Sequence, residues 1–264
     1  MLFRSPKNEK TDDNVSVQEL SRLRAELESL EKRQREFVSF AAHQLRAPLT
    51  ALKGYASLLL EGDLGALPPD AANAAEKIYE SADRLTEIVD GYLDVSRLDT
   101  GAMKYDFAPV DLRLLVEEIV AEMQPIITRA PASFTFRIID PTPAYQVLAD
   151  RSRLRQAITN LLDNALKYTP SGSVEIRLNL DELRRRVVLE VADTGIGIEP
   201  EIVPKLFQKF SRADHAKFFH RQGSGLGLFV AKEIITAHQG ELQVQSAGAG
   251  RGATFAISLE PFGR

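Results

Sequence analysis

The chain has 264 residues, 44% of them hydrophobic, a net charge of −4 and no cysteine. Disulfides and thiolate metal sites are excluded, and the acidic balance offers no basic surface for nucleic acid. No apolar run approaches the roughly 18 residues that span a bilayer, and the start, "MLFRSPKNEKTDDN", lacks the apolar core of a signal peptide.

That start reads as a frayed polar end. From Leu20 the apolar residues recur at Leu23, Leu27, Leu30, Phe37 and Ala41, the spacing of a coiled-coil seam. Residues 1–36 are therefore expected to hold a disordered start and a coiled-coil helix. A second register follows at Val38, Ala42, Leu45, Leu49, Leu52, Ala56 and Leu59. Such an offset changes coiled-coil winding, so the packing is expected to switch from two strands to a bundle. At about 100° per residue, His43 in "FVSFAAHQLRAPLT" points away from this seam. Pro48 lies just beyond it, where a proline removes a helix hydrogen bond and kinks the chain.

"EGDLGALPPD" breaks the helix, and a second amphipathic helix carries Ile78, Ala82, Leu85, Val89 and Tyr92 toward Gly101. A helical hairpin with one apolar face cannot bury that face alone. Two copies forming a four-helix bundle bury it, so residues 37–102 are expected to be a homodimerisation domain.

The remainder, 103–264, changes character. "MKYDFAPVDL" reads as a connector and first strand, and "LRLLVEEIVAEMQPII" as a helix. "ASFTFRIID" and "YQVLAD" read as strands. "RSRLRQAITNLLDNALKY" is strongly amphipathic, and "SVEIRLNL" with "RRVVLEVAD" suggests a hairpin. "EIVPKLFQKF" reads as a short helix, "LGLFVAKEIITAHQ" as another, and "ELQVQS" with "ATFAISLE" as a closing hairpin. Helices interleave with strands of antiparallel type, without a βαβ repeat. The fold class is thus α plus α/β: a helical hairpin followed by a two-layer α/β sandwich.

On the helix "RQAITNLLDNALKYTP", Asn160, Asn164 and Lys167 share one face, with Leu154, Ile158, Leu161 and Ala165 on another. Amide oxygens are hard ligands that suit Mg²⁺, which keeps water and phosphate oxygens; a solvated polar face is the plainer reading. In "VADTGIGI", Asp193 ends a strand before Gly195 and Gly197. Its carboxylate suits the exocyclic amine of a purine, though a tight turn explains the glycines equally well. "GSGLGL" sets Gly223, Gly225, Leu226 and Gly227 at the mouth of a helix, an arrangement that favours anions. "SRADHAKFFHRQ" has the length and composition of a lid. "GAGRGATF" carries Thr254 out of a turn into a strand.

Together and in this order, these motifs resemble the cytoplasmic core of a bacterial sensor histidine kinase over about residues 37–260. "FVSFAAHQLRAPLT" is similar to the phosphoacceptor box and "NLLDNALKYTP" to the asparagine box. "VADTGIGI", "GSGLGL" and "GRGATF" are similar to glycine boxes, and "LFQKF" to the phenylalanine box. The resemblance implies an ATP-binding fold of the type shared with type II topoisomerases, mismatch-repair ATPases and a heat-shock chaperone. It implies that His43 accepts phosphate, with Gln44 and Arg46 beside it, and that Asn164 holds Mg²⁺. Asn160 and Lys167 would meet the phosphates, Tyr168 would border the nucleotide, and Asp193 would read adenine. Gly195, Gly197, Gly223, Gly225, Leu226, Gly227 and Thr254 would line the nucleotide. Phe207 and Phe210 would anchor the lid, and Arg221 would reach a phosphate. The implied partners are a second copy, a response-regulator receiver domain and a sensor acting through the N-terminal helix. The implied location is the cytoplasm, at a membrane if the chain is part of a longer receptor.

Two positions depart from the family pattern. Gln44 stands where an acidic base usually follows the histidine; an amide orients the ring but takes no proton at neutral pH, which predicts slow autophosphorylation. Ala47 stands where Thr or Asn usually positions water, which predicts weak phosphatase activity.

Overall fold

The computed structural model describes residues 9–130, 132–138, 145–211 and 224–263. The chain opens with one 53-residue helix, α1 (Glu9–Glu61), that contains Pro48. It begins well before Leu20, inside the segment expected to be frayed. A loop with positive-φ glycines at 62 and 65 leads to α2 (Pro69–Asp99), which has proline in its first turn, where the missing N–H costs no helix bond.

The two helices pack against each other through four alanines and one leucine at heptad spacing. Ala42, Leu49 and Ala56 of α1 and Ala75 and Ala82 of α2 are buried. The larger residues of the same stripes are left open: Leu45 is 51% and Leu52 50% exposed, and Ile78, Leu85 and Tyr92 are also exposed. Lys53 pairs with Asp83 and sits 5.2 Å over the Tyr79 ring, while Arg46 pairs with Asp90. Among the described residues no helix is long and apolar enough to cross a membrane.

The C-terminal region runs β1 (Ala108–Asp111), α3 (Leu112–Arg129), β2 (Ser133–Ile138), β3 (Gln146–Ala149), α4 (Arg151–Lys167), β4 (Ser173–Asp181), β5 (Arg186–Asp193), α5 (Gly227–Ala237), β6 (Glu241–Gln245) and β7 (Ala253–Leu259). β1 pairs with β3; the main sheet has the order β2-β4-β5-β7-β6. The strands are not all antiparallel as expected, because β2 runs parallel to β4, joined through β3 and α4. The expected helix "EIVPKLFQKF" reduces to a 3₁₀ turn at Val203–Lys205.

Alternation puts Val174, Ile176 and Leu178 of β4 on the same buried face as Val187, Leu189 and Val191 of β5. α4 covers them with Leu154, Ile158, Leu161 and Leu162, all fully buried, each contributing about 1.5–3 kcal/mol. Helix starts are capped by aspartates: Asp111 accepts from the N–H groups of Arg113 and Leu114, and Asp150 from those of Ser152 and Arg153.

Asp150 also ties the interdomain connector down. Its other oxygen accepts from the Asp106 N–H at 2.9 Å, and its own N–H donates to His238 Nε2 at 2.9 Å. The second ring nitrogen, Nδ1, lies 2.7 Å from the Ile234 carbonyl; a carbonyl only accepts, so Nδ1 carries the proton and the ring is neutral. Tyr105 and Phe107 of the connector meet this ring at centroid distances of 5.7 and 5.0 Å.

Candidate active site

A cleft of about 1510 Å³ opens between α2 and the C-terminal domain. One wall is the polar face of α4, with Gln156, Asn160, Asn164 and Lys167. The spacing of three and four residues aligns these side chains while the opposite face packs on the sheet. Asn160 Nδ2 donates to the Gly227 carbonyl at 3.1 Å, which fixes the amide and leaves its oxygen for another partner. Lys167 Nζ lies 5.9 Å from the Tyr168 ring. Gly225 and Gly227, at the start of α5, contribute to the same cleft.

Asp193 enters from the end of β5. Its Oδ1 accepts from the N–H groups of Gly195 at 2.9 Å and Ala253 at 3.3 Å. Burial raises its carboxyl above the ordinary range, and these two N–H groups oppose the rise. Oδ2 has no hydrogen bond to a described residue, so the carboxylate is fixed by one oxygen and presents the other.

The glycines around Asp193 have a backbone reason. A Cβ on Gly195 would lie 2.1 Å from the Tyr168 carbonyl, one on Gly197 2.1 Å from the Gly248 carbonyl, and one on Gly252 2.0 Å from the Asp193 carbonyl. Gly197 and Gly252 also have φ of +68° and +66°, a region open chiefly to glycine. Three chain segments therefore meet backbone to backbone here, closed by the bonds from Ile196 N to Tyr168 O and from Gly250 N to Ile196 O.

Other expected positions fall elsewhere. Leu226 does not line the cleft; it is fully buried, with its side chain 3.3 Å from where a Cβ on Gly91 of α2 would stand. Thr254 lies on the opposite face of β7 from Ala253 and Phe255, which are cleft residues, because strand neighbours alternate. Phe207 packs against the core, under Lys232 Nζ at 5.8 Å. Phe210 has φ of +59° and is 59% exposed; the lid it was expected to anchor lies outside the described residues. Arg221, Gly223 and most of the expected lid lie outside the described residues.

His43, Gln44 and Arg46 are exposed on α1, and none of them lines the cleft. Arg46 is held by its ion pair to Asp90.

Several cleft groups escaped the sequence reading. Asp163 of α4 is exposed on the wall, yet the surrounding protein and the Glu87 carboxylate raise it to about 6. Glu87 itself is raised by burial and by Asp83. Asp94 of α2 is buried, accepting from Gln156 Nε2 at 2.6 Å and pairing with Arg153 at 3.4 Å. Gln156 was legible: it stands four residues before Asn160 and eight before Asn164 on the same face.

Comparison with known proteins agrees with this arrangement. Residues 33–101 match the His Kinase A (phospho-acceptor) domain family, and residues 149–262 the Histidine kinase-, DNA gyrase B-, and HSP90-like ATPase family. The chain is 32% identical over 234 residues to Phosphate regulon sensor protein PhoR of Pseudomonas aeruginosa, covering 88% of this chain and 51% of that protein. It is 30% identical over 232 residues to Sensor protein SrrB of Staphylococcus aureus, covering 88% and 39% respectively. The chain thus spans about half or less of the length of these relatives. Full-length ShkA, crystallised in complex with AMPPNP, superposes with a TM-score of 0.67 at 29% identity, over 85% of this chain and 45% of that one. Acinetobacter baumannii histidine kinase AdeS shares the fold, with a TM-score of 0.57 at 23% identity over 84% and 98% of the two chains. With a phosphoacceptor hairpin followed by an ATPase domain of this kind, the chain belongs to the sensor histidine kinase family.

Proposed function

We propose that the protein is an ATP-dependent histidine autokinase that phosphorylates His43 and passes the phosphoryl group to an aspartate of a response-regulator receiver domain. One observation carries the reading: an exposed imidazole on a paired-helix hairpin is tethered to a domain whose Asn160, Asn164, Lys167 and Asp193 line one cleft. In the transfer, the γ-phosphorus–oxygen bond of ATP breaks, a phosphorus–nitrogen bond to the imidazole forms, ADP leaves and the ring gives up a proton. The transition state is loose, so positioning and charge neutralisation do most of the work. Asp193 Oδ2 would take the adenine amine, and Lys167 would meet phosphate.

The cleft suits Mg²⁺ brought with the nucleotide. Asn164 and Asn160 offer hard amide oxygens. Among the described residues no group of three or more His, Cys, Asp or Glu is set to hold a metal, so the ion would rest on amide, phosphate and water oxygens, an ordinary Mg²⁺ environment. Bound there, it would neutralise phosphate charge.

The exposed heptad leucines support a homodimer through residues 37–102, with 103–264 as the ATP domain and the helix before residue 37 as the lever for a sensor. ATP supply would set the reaction in the cytoplasm. Incubation with γ-labelled ATP tests the proposal. An acid-labile label that disappears in His43→Ala is the expected result. Free phosphate without label would make the protein a simple ATPase, and bound but unreacted ATP would make it a scaffold in which Gln44 and Ala47 mark lost chemistry.

A further inference from the structure

His238 is a buried titratable group that does not line the cleft, and phosphoryl transfer gives it no task. Its ring joins three pieces of the chain. Nδ1 holds the Ile234 carbonyl in the last turn of α5, Nε2 takes the Asp150 N–H at the start of α4, and the ring packs against Tyr105 and Phe107 of the connector. Asp150 completes the junction, because its carboxylate both caps α4 and holds the Asp106 N–H. The two ring nitrogens differ in one respect. Nδ1 donates, a role it keeps in either charge state, whereas Nε2 accepts, which it does only while the ring is neutral.

Two anchors bracket the connector. On one side α2 ends with the N–H groups of Ala102 and Met103 on the Arg97 carbonyl, at 2.8 and 3.1 Å. On the other, Ala108 begins the pairing of β1 with β3. The exposed Lys104 alone separates the end of α2 from the clamped residues 105–107. With the clamp open, all of 104–107 would link the two anchors, enough backbone to act as a hinge.

We propose that His238 is an acid-sensitive lock on this connector: the neutral ring fixes Tyr105, Asp106 and Phe107 to the ATP domain, and a second proton on the ring releases them. That proton puts an N–H on Nε2 facing the Asp150 N–H, two donors across 2.9 Å. The ring stays with α5 through Nδ1 and lets go of Asp150. Opening therefore binds a proton and is favoured as pH falls. Other charged groups stand at the junction. Asp106 lies on the connector itself; Arg153 from α4, Glu233 from α5 and Asp94 from α2 act on Tyr105. Arg186 of β5, paired with Glu260, holds the Gln239 carbonyl beside the ring. Burial raises the Tyr105 phenol, so it stays neutral. Burial opposes ionisation of Asp150, but the N–H groups of Asp106, Arg153 and Ser152 hold its carboxyl below the ordinary range, so it stays charged. Imidazole is the side chain suited to a change between about pH 5 and 8. Under the kinase reading a freed connector lets the cleft swing relative to His43, but the lock itself is tested without nucleotide.

The 264-residue chain is followed by hydrogen exchange at the Asp106 and Asp150 amides, corrected for the intrinsic pH dependence of exchange, from about pH 7.5 to about pH 5.5. Protection at both amides is expected to fall by up to about tenfold per pH unit, the limit for uptake of one proton, while amides of β5 stay protected. The ring-nitrogen NMR signals of His238 should change with the same midpoint. His238→Gln sets a carbonyl oxygen within reach of the Asp150 N–H that does not titrate, so its protection should be the same at both ends of the range. Asp163, raised to about 6, is present in both proteins; a pH response that survives in His238→Gln belongs elsewhere and overturns the proposal. Protection that ignores pH in the wild type, or a ring that takes its second proton while both amides stay protected, overturns it too. Those two wild-type results decide the matter if the variant does not fold.

Discussion

Asp193→Asn tests the adenine assignment most sharply. The carboxylate's Oδ1 is fixed by the Gly195 and Ala253 N–H groups at 2.9 and 3.3 Å. Asparagine retains an oxygen for both, so the loop keeps its geometry. What changes is the free position: an acceptor becomes an NH₂ donor facing the amine of adenine. The loss is one charge-assisted hydrogen bond, about 1.5–3 kcal/mol, which is roughly a 10- to 150-fold rise in Kd for ADP. The stability of the free protein should hold at pH 7 or rise slightly, because burial raises this carboxyl and the neutral amide removes the cost of ionising it. Calorimetric titration with ADP and with inosine diphosphate gives the answer. The 6-oxo base of inosine should bind the variant better than the wild type, since the new NH₂ donates to it. An ADP affinity within about twofold of wild type, or no gain for the inosine nucleotide, would refute the reasoning, because such a result leaves Asp193 no contact worth a hydrogen bond.

Three further outcomes follow from the same geometry. Leu52→Asp with Leu85→Asp should yield a monomer by sedimentation, since each removes a leucine worth about 1.5–3 kcal/mol from both halves of the dimer interface; a dimer that persists would mean another surface joins the copies. Gly252→Ala should lower the urea midpoint, because its Cβ would meet the Asp193 carbonyl at 2.0 Å with φ at +66°; a cost of at least about 1–3 kcal/mol is expected, and an unchanged midpoint would contradict it. Asp163, an acid raised from its ordinary 3.8 to about 6, favours folding below its unfolded pKa, and that advantage is lost as pH rises through about 6. Asp163→Asn should therefore raise the melting temperature at pH 7 and not at pH 4; the same gain at both would remove the carboxyl from the explanation.

Much of the architecture was readable before any coordinates. The period of Ala42, Leu49 and Ala56 announced a helix face, and the alternation in "SVEIRLNL" a half-buried strand. The shared face of Asn160, Asn164 and Lys167 could be drawn on a helical wheel. Each of these is a local regularity, repeated by the chain itself. Contacts made by unlike segments were less legible. Leu226 sits among glycines and was expected beside the nucleotide, yet it packs against Gly91, 135 positions earlier in the chain. Thr254 was expected in the site, but the register of β7 against β5 sends it to the other face.

Composition, helical periodicity and motif order were enough to establish a paired-helix hairpin, an α/β domain and the residue types for phosphoryl chemistry. They could do so because backbone sterics and burial act on neighbours a few positions apart. Which oxygen of Asp193 is left free, why Gly252 admits no side chain and how His238 comes to hold the Asp150 N–H were decided by the tertiary structure alone. Those facts depend on distances between segments far apart in the chain, and such distances exist only once the domains have folded against each other.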